Sequence, residues 1–249
     1  MTVFHIPHSS TFIPTEYLKK LLLNDNELRS ELLHMTDWHT DDLFSGDVSE
    51  TDTVVKFGYS RLMVDPERFE DDTREQMTKV GMSVIYERTS DQRKLRNSPT
   101  TEEREELLRR YYRPHHARLH DAVSDELSKT DRSLIVDCHS FPSKALPYET
   151  DQESVRPDIC IGTDNFHTPS RLAIKLKSVF EQLGYSVEYN RPFAGAIVPS
   201  IYYRCHPSVH SVMLEINRSF YINEATSASL TLEYQITKLH IASLLRSLN

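Results

Sequence analysis

Short apolar runs alternate along this chain with longer stretches in which apolar residues recur at helical spacing. The apolar runs predict strands of a mostly buried sheet, at residues 2–6, 53–57, 61–64, 83–87, 133–139, 158–162, 185–189 and 208–217. The amphipathic stretches predict helices, at residues 14–35, 37–44, 100–127, 168–184 and 224–248. Strands that alternate with amphipathic helices indicate an α/β fold, with a sheet enclosed between two layers of helices.

The helix that begins near residue 100 has the clearest signals. Thr100-Thr101-Glu102-Glu103 matches a capping box, and apolar residues then recur every three or four positions as far as Leu127. Pro114 lies inside this pattern. Because proline lacks the amide hydrogen of the helical ladder, we expect it to kink or split the helix.

Composition narrows the protein class. The chain has 249 residues, with 38% hydrophobic and 27% charged residues, which is typical of a soluble globular protein and long enough for one α/β domain over residues 1–249. The net charge of −8 argues against a nucleic-acid partner, and the apolar runs are too short to cross a membrane. No signal-peptide pattern precedes the first strand, so a cytoplasmic location is predicted. The cysteines are expected to be buried thiols rather than a disulfide framework.

Three of the predicted strands end in side chains that bind metals or transfer protons. His8 follows the first strand, His139 ends Leu134-Ile135-Val136-Asp137-Cys138-His139, and Glu215 ends Val212-Met213-Leu214-Glu215. In open α/β sheets the ligand crevice lies beyond the carboxyl ends of the strands. Two histidines and a glutamate delivered there from distant parts of the chain predict a metal-dependent hydrolase.

A catalytic zinc ion usually has three protein ligands and keeps one position open. With His8 and His139 as two ligands, a carboxylate is the natural third, and Asp37 or Asp41 at a helix start can supply it. Glu215 is costly to bury unless it is paired or used, and a general base is one such use. Asp137 lies on the same side of its strand as His139. It either orients a ligand or satisfies buried backbone donors.

Other polar residues fit less specific roles. His116 and His120 are four residues apart on the long helix, but no glutamate follows His116 as in zinc proteases, so a structural role is favoured. The arginines at positions 61, 68 and 191 are candidates for binding the carboxylates of an acidic substrate, because the guanidinium group matches a carboxylate in two-pronged fashion. Arg191 opens a loop that contains proline and glycine, which is the kind of segment that carries function.

Seven segments together resemble the N-formylglutamate amidohydrolase family, in order and over nearly the whole chain. They are Ile6-Pro7-His8-Ser9-Ser10, Thr36-Asp37-Trp38-His39, Ser60-Arg61-Leu62-Met63-Val64-Asp65-Pro66-Glu67-Arg68, Asp137-Cys138-His139-Ser140, Asp158-Ile159-Cys160-Ile161-Gly162-Thr163, Arg191-Pro192-Phe193-Ala194-Gly195 and Leu214-Glu215-Ile216-Asn217-Arg218. Each segment is a weak signal alone, whereas their shared order is specific.

The resemblance implies a three-layer α/β/α sandwich around a mixed sheet, similar to zinc-dependent exopeptidases and cell-wall amidases. It implies hydrolysis of N-formyl-L-glutamate to formate and L-glutamate, a step of histidine degradation. The implied ligands of Zn²⁺, or of another divalent transition metal, are His8, Asp37 and His139. Glu215 would be the catalytic acid/base, and the three arginines would bind substrate carboxylates.

Two alternatives remain open from the sequence. The first is an amidase on the same scaffold that acts on another N-acyl amino acid or on a cell-wall peptide. The second is a non-catalytic relative that binds a metal or a ligand without turnover. The oligomeric state is not predicted.

Overall fold

The computed structural model describes residues 1–46, 48–225, 229–246 and 248. The strands are β1 (Val3–Ile6), β2 (Thr53–Lys56), β3 (Ser133–Phe141), β4 (Ile159–Gly162), β5 (Val187–Tyr189) and β6 (Val209–Asn217). The α-helices are α1 (Thr15–Leu18), α2 (Asp25–Met35), α3 (Thr40–Ser45), α4 (Thr101–Leu107), α5 (Arg113–Thr130), α6 (Ser170–Gln182) and α7 (Tyr234–Arg246). Short 3₁₀-helices occur at Gln76–Val80 and Arg218–Phe220.

All six strands belong to one sheet in the order β2-β1-β3-β6-β4-β5. Strands β2, β1, β3 and β6 are parallel to one another, whereas β4 is antiparallel to β6 and parallel to β5. The prediction of a mixed sheet is therefore confirmed. Because β1, β3 and β6 run the same way side by side, the residues at their carboxyl ends meet at one edge of the sheet.

Helices cover both faces of the sheet. On one face, Val3, Ile135 and Val209 pack with Leu119 and Val123 of α5. The alternate strand positions point to the other face and form a larger cluster with α3, α6 and α7, which includes Phe4, Val136, Val212, Leu43, Phe44, Leu176, Phe180, Ile241 and Leu244. The predicted three-layer α/β/α arrangement is confirmed, and the strands between the layers are apolar because both of their faces are buried.

Two predicted strands are wrong. Residues 61–64 form turns and residues 83–87 form bends. Their apolar side chains are nonetheless fully or almost fully buried, in a second cluster that packs outside the sheet. The amide of Asp65 donates to the carbonyl of Val84 at 2.8 Å, so the two segments lie together without a strand ladder. A short apolar run thus predicts burial more securely than it predicts a strand.

The long helix begins and continues as predicted, with one π-helical turn between its two α-helical parts. Thr100 Oγ1 accepts from the amide of Glu103 while the Glu103 carboxylate accepts from the amide of Thr100, which is the predicted capping box. A π-helical turn, Leu108–Tyr112, then separates α4 from α5. Pro114 consequently lies in the first turn of α5, where its missing amide hydrogen is tolerated.

The last helix is shorter than predicted. The predicted range is 224–248, but α7 spans Tyr234–Arg246, and residues 229–233 contain a bridge and turns instead. Residues 226–228 and 247 of the predicted helix lie outside the described residues. Leu230 and Leu232, which precede α7, are exposed, so residues 229–233 have no packed apolar face to stabilise a helix.

The cysteines are all free thiols. Cys138 and Cys160 are buried in β3 and β4, as expected, whereas Cys205 is exposed. In the described part of the chain, no helix is both long and apolar enough to span a bilayer.

Candidate metal centre and active site

Four elements deliver the predicted site residues to one edge of the sheet. His8 follows β1 by two residues, and His139 near the end of β3 is in register with Glu215 on β6. Asp37 lies between α2 and α3. Its backbone amide donates to the carbonyl of His8 at 3.0 Å, so the segment that follows α2 is tied to the end of β1.

The three predicted metal ligands meet in space. Nδ1 of His139 lies 3.1 Å from Oδ2 of Asp37, and Nδ1 of His8 lies 3.6 Å from the same oxygen. The His8 and His139 rings are 5.1 Å apart between centroids. All three side chains are at least 94% buried. Two imidazole nitrogens and one carboxylate oxygen therefore converge on a small volume.

Each histidine has a carboxylate at its outer nitrogen. Nε2 of His8 is 2.7 Å from Oδ1 of Asp65, and Nε2 of His139 is 3.0 Å from Oδ1 of Asp137. Burial raises the pKa of Asp65, but the charges of Arg61 and Arg68 outweigh it and hold the pKa well below its usual range. An ionised carboxylate at the outer nitrogen fixes a proton there and turns the other nitrogen towards a metal ion.

Asp37 is held from its other side by Arg218. Nη2 of Arg218 donates to Oδ1 of Asp37 at 2.8 Å, and the same guanidinium donates to the carbonyls of His34 and Ser140. Burial raises the pKa of Asp37, whereas the hydrogen bond with His139 and the charge of Arg218 lower it below its ordinary value. The carboxylate is thus ionised, with Oδ2 facing the two histidines.

The alternative carboxylate, Asp41, lies elsewhere. Its Oδ2 accepts from Nζ of Lys56 at 2.9 Å, and its side chain is 38% exposed. Within the described residues, Asp37 is the acid that groups with His8 and His139. Asp37 lies in the connection between α2 and α3, whereas Asp41 lies in the first turn of α3, so four residues of separation place the two carboxylates in different surroundings.

The residues fit a metal ion such as zinc. Nδ1 of His8 is buried and has no hydrogen-bond partner, and leaving such an atom unpaired costs about 1–3 kcal/mol. Two neutral imidazoles and one carboxylate are a common ligand set for catalytic zinc, and other divalent transition metals accept the same set. A cation among these three side chains would remove the cost of the unpaired nitrogen.

Glu215 lies beside this group with one oxygen unused. The side chain is buried, and Oε2 has no hydrogen-bond partner. Burial raises the pKa of Glu215 to about 8; the charge of His139 opposes this shift and the charge of Asp37 adds to it. A carboxyl group whose pKa lies near neutrality is suited to accept and return a proton.

A cavity of about 270 Å³ opens onto these side chains. His8, Asp37, His139 and Glu215 line it together with Arg61, Arg68, Tyr148 and Phe193. Arg61 donates to Oδ2 of Asp65 at 2.8 Å, whereas Nε of Arg68 makes a longer contact of 3.8 Å with the same oxygen. Two predicted substrate-binding arginines therefore line the same cavity as the predicted metal ligands.

Arg191 differs from the other two arginines. Its guanidinium pairs with Asp151, Glu153 and Glu188 at 2.6–2.9 Å, and it does not line the cavity, although Pro192, Phe193 and Ala194 do. The sequence prediction that Arg191 contacts substrate receives no support from this geometry. Two of the carboxylates, those of Asp151 and Glu153, lie 40 and 38 residues before Arg191, so the residues around Arg191 did not reveal them.

The predicted structural role of His116 and His120 agrees with their contacts. Nε2 of His116 lies 3.0 Å from the carbonyl oxygen of Pro66. The ring of His120 stacks on Tyr202, with an angle of 4° between the planes. His116 and His120 therefore have different partners.

A larger cavity of about 540 Å³ lies at the opposite edge of the sheet, where β3 and β6 begin. Arg132, Arg171 and His210 line it. The chemistry described above is at the carboxyl ends of the parallel strands, where α/β sheets bind their ligands. The larger of these two cavities is therefore not the one that the predicted site residues line.

Sequence reasoning missed Asp65, Arg218 and His5 as parts of the site. Asp65 and Arg218 lie inside two of the family-like segments, but nothing in their local pattern indicates which side chains they hold. His5 interrupts the apolar run of β1, and Asp137 interrupts that of β3. The parallel register places these two residues opposite each other. Two polar interruptions in neighbouring buried strands were the available signal.

The chain matches known proteins over most of its length. Residues 1–222 match the family described as N-formylglutamate amidohydrolase. An N-formylglutamate deformylase from Pseudomonas putida is 29% identical over 195 residues, which cover 76% of this chain and 71% of that protein. A protein of the same description from Pseudomonas aeruginosa is 28% identical over 195 residues, with the same coverage.

Solved structures share the fold. A crystal structure of an N-formylglutamate amidohydrolase from Ralstonia eutropha JMP134 gives a TM-score of 0.86 at 22% identity, covering 99% of this chain and 92% of that chain. A gene product from Agrobacterium tumefaciens gives 0.67 at 20% identity, covering 99% and 90%. At these identities the likeness concerns the fold.

Proposed function

The chain belongs to the N-formylglutamate amidohydrolase family, and from this premise we propose that it is a metal-dependent enzyme that hydrolyses N-formyl-L-glutamate to formate and L-glutamate. The observation that carries the proposal is the convergence of Nδ1 of His8 and Nδ1 of His139 on one oxygen of Asp37. The curated relatives from two Pseudomonas species are described as deformylases of this substrate.

His8, Asp37 and His139 would hold the metal ion, with zinc as the first candidate. A divalent ion bound there supplies Lewis acidity towards an amide carbonyl and towards water. Asp65 and Asp137 hold the outer nitrogens of the two histidines, and Arg218 holds Asp37. These contacts keep the three donor atoms turned towards one another before a metal ion arrives.

Glu215 is the acid and base of the proposed reaction. Its free Oε2 takes a proton from the attacking water and delivers it to the departing amine nitrogen, so that the amide C–N bond breaks while the carboxyl group returns to its starting state. The side chain is buried and lines the cavity. Both proton transfers therefore take place away from bulk solvent.

Arg61 and Arg68 account for the preference for an acidic substrate. Both line the cavity, and guanidinium groups bind carboxylates with directed, charge-assisted hydrogen bonds. Arg61 is already engaged by Asp65, whereas Arg68 has the looser contact. Arg68 is accordingly the main group for a substrate carboxylate, and Arg61 adds positive charge beside it. The cytoplasmic location and the link to histidine degradation stay predictions.

The test combines metal content with product formation. We expect purified protein to hold about one zinc ion per chain, since the three side chains supply one ligand set, and to release formate from N-formyl-L-glutamate. Chelation should stop the release and zinc should restore it. Glu215→Gln should keep the metal and lose about 10²–10⁴-fold in kcat.

Each opposite result has a distinct meaning. Bound zinc without formate release would favour an amidase for other N-acyl amino acids. A Glu215→Gln variant with the wild-type rate would contradict the assigned acid/base. Absence of zinc binding, even after zinc is added, would overturn the proposed site.

A further inference from the structure

A second group of buried polar side chains lies directly behind the proposed metal ligand His139. The parallel pairing of β1 and β3 places His5 opposite Asp137, and Nδ1 of His5 is 2.8 Å from Oδ1 of Asp137. The same oxygen is 3.0 Å from Nε2 of His139. One carboxylate oxygen therefore contacts two histidines, of which only His139 lines the cavity.

The contacts of His5 determine where its proton lies. Nδ1 faces two carboxylates, Asp137 at 2.8 Å and Glu67 at 3.2 Å, and ionised carboxylates only accept hydrogen bonds. Nδ1 of His5 must therefore carry a hydrogen. Burial lowers the pKa of His5, but Asp137 and Glu67 outweigh this effect and raise the pKa to about 9.

The other ring nitrogen of His5 also has a partner. Nε2 of His5 lies 2.8 Å from Nε2 of His115 on α5. His115 is buried and its pKa is lowered, first by burial and then by the charge of His5, so it is neutral; its Nδ1 lies 3.3 Å from Nη2 of Arg118. The imidazole of His5 is thus fixed at both nitrogens and cannot turn without losing one contact.

We propose that His5 is a positioning residue, which orients the Asp137 carboxylate so that Nδ1 of His139 remains turned towards Asp37. The N–H bond at Nε2 of His139 does not point straight at Asp137, since this nitrogen has no hydrogen bond of good geometry despite its short contact. The strength of the contact therefore depends on the orientation of the carboxylate, which His5 sets. Outer partners of this kind fix ring orientation in metal sites.

A different interpretation of the group is a second metal site. His5, Glu67 and Asp137 have donor atoms close enough for one ion. However, both nitrogens of His5 already have partners at hydrogen-bond distance, whereas Nδ1 of His8 has none. The geometry therefore assigns a proton, rather than a metal ion, to Nδ1 of His5. The inference rests on the proposed metal site but not on the identity of the substrate.

Two variants of His5 separate positioning from packing. The amide nitrogen of asparagine falls near the place of Nδ1, so His5→Asn keeps a donor for Asp137. The amide nitrogen of glutamine falls near the place of Nε2, so His5→Gln keeps the contact with His115 and loses the donor for Asp137. Substitution of residues that hydrogen-bond to metal ligands weakens metal binding by about 10–100-fold. We expect zinc affinity to fall roughly tenfold in His5→Gln and only about twofold in His5→Asn.

Zinc affinity is measured by competition with a chelator on folded protein, with His167→Gln as the control. His167 is a buried histidine that bonds to the backbone of Val209 and Arg204, so its loss should lower thermal stability without changing zinc affinity. If His5 acted through packing alone, His5→Gln would bind zinc more tightly than His5→Asn, because glutamine is closer to histidine in volume. Equal affinities, or a weaker His5→Asn, would overturn the proposal.

A measurement on the unaltered protein gives an answer even when a variant does not fold. Nitrogen-15 NMR of labelled histidine should show a protonated Nδ1 on His5 at neutral pH with zinc bound. An unprotonated Nδ1, or two tightly bound zinc ions per chain, would overturn the inference while leaving the first site intact. Failure of the wild-type protein to bind zinc would instead overturn the proposed function.

Discussion

Two clusters of histidine and carboxylate lie side by side at the end of the sheet, and they differ in what they leave unpaired. The cavity cluster consists of His8, Asp37 and His139, and the rear cluster consists of His5, Glu67 and Asp137. Both are buried for the most part and both have nitrogen–oxygen distances near 3 Å. In the cavity cluster Nδ1 of His8 has no hydrogen-bond partner, whereas both nitrogens of His5 have one.

The difference shows that proximity of acids and histidines does not by itself identify a metal site. A buried polar atom without a partner costs about 1–3 kcal/mol, and a cation at the cavity wall would remove this cost for Nδ1 of His8. In the rear cluster both nitrogens of His5 have partners, and the atom without a hydrogen bond is Oε1 of Glu67, which lies 3.2 Å from Nδ1 of His5. We therefore propose that the same residue types bind a cation in one place and position a carboxylate in the other.

The largest expected contrast is between two substitutions: one removes His8 of the cavity cluster, and the other removes His115, which contacts His5 of the rear cluster. His8→Ala should abolish zinc binding and reduce formate release to the background of the assay, because it removes one of three ligands. His115→Ala removes the partner of the rear histidine and should cost about 1–3 kcal/mol of stability through the unpaired nitrogen of His5. It should still bind one zinc ion.

We would measure the zinc content and the formate release of both variants, at a temperature where circular dichroism shows that each is folded. These two measurements test the prediction. Loss of zinc from both variants to the same extent would mean that the two clusters are not functionally distinct. Retention of zinc by His8→Ala would remove His8 from the ligand set.

Arg68 and Arg191 differ in the same way, because one has few ionic contacts and the other is fully paired. Arg68 lines the cavity with a side chain that is 18% exposed and one long ionic contact, whereas Arg191 is paired with three carboxylates. Arg68→Gln should raise KM on the order of 10–100-fold, the equivalent of losing one charged hydrogen bond, with kcat less affected. Arg191→Gln should leave KM unchanged.

Steady-state kinetics with N-formyl-L-glutamate and with N-formyl-L-glutamine, which has an uncharged side chain and keeps the α-carboxylate, test this assignment. A substrate carboxylate that Arg68 binds at the side chain would make the variant lose its preference between the two compounds. A KM effect confined to Arg191→Gln would reverse the roles of the two arginines.

Much of the fold was predictable because periodicity reports burial on a sheet or a helix face. The strands near residues 3–6, 133–141 and 209–217 and the capped helix at Thr100 were recognisable for this reason. The predicted strands at residues 61–64 and 83–87 were wrong because their apolar side chains are buried by loop packing instead. The start of α7 was wrong because the residues before Tyr234 carry no packing face.

Site prediction succeeded where chain position alone determines neighbours. Parallel strands bring their carboxyl ends together, which is why His8, His139 and Glu215 were found from the apolar runs that precede them. The choice of Asp37 over Asp41 came from the family resemblance, and the geometry agrees with it. Asp65 and Arg218 hold other site residues through long-range contacts. Such contacts depend on the paths of loops, which leave no periodic pattern.

The smallest expected effect is a pH dependence of the free energy of unfolding, which comes from His5 of the rear cluster. The pKa of His5 is raised from its ordinary value of 6.5 to about 9, so between these values the folded metal-free protein binds a proton that the unfolded chain has released. The stabilisation is then complete below pH 6.5 and is lost as the pH rises through about 9. It should amount to at most about 3 kcal/mol.

Urea unfolding of the metal-free protein at several pH values between about 6 and 9.5 measures this slope, and His5→Asn removes the titrating group while keeping a donor for Asp137. Glu215, with its pKa raised to about 8, contributes a slope of the same sign, but both proteins share it. The difference between the two curves therefore isolates His5. Parallel curves would mean that the folded protein does not hold an additional proton on His5, and the predicted pH dependence of stability would be wrong.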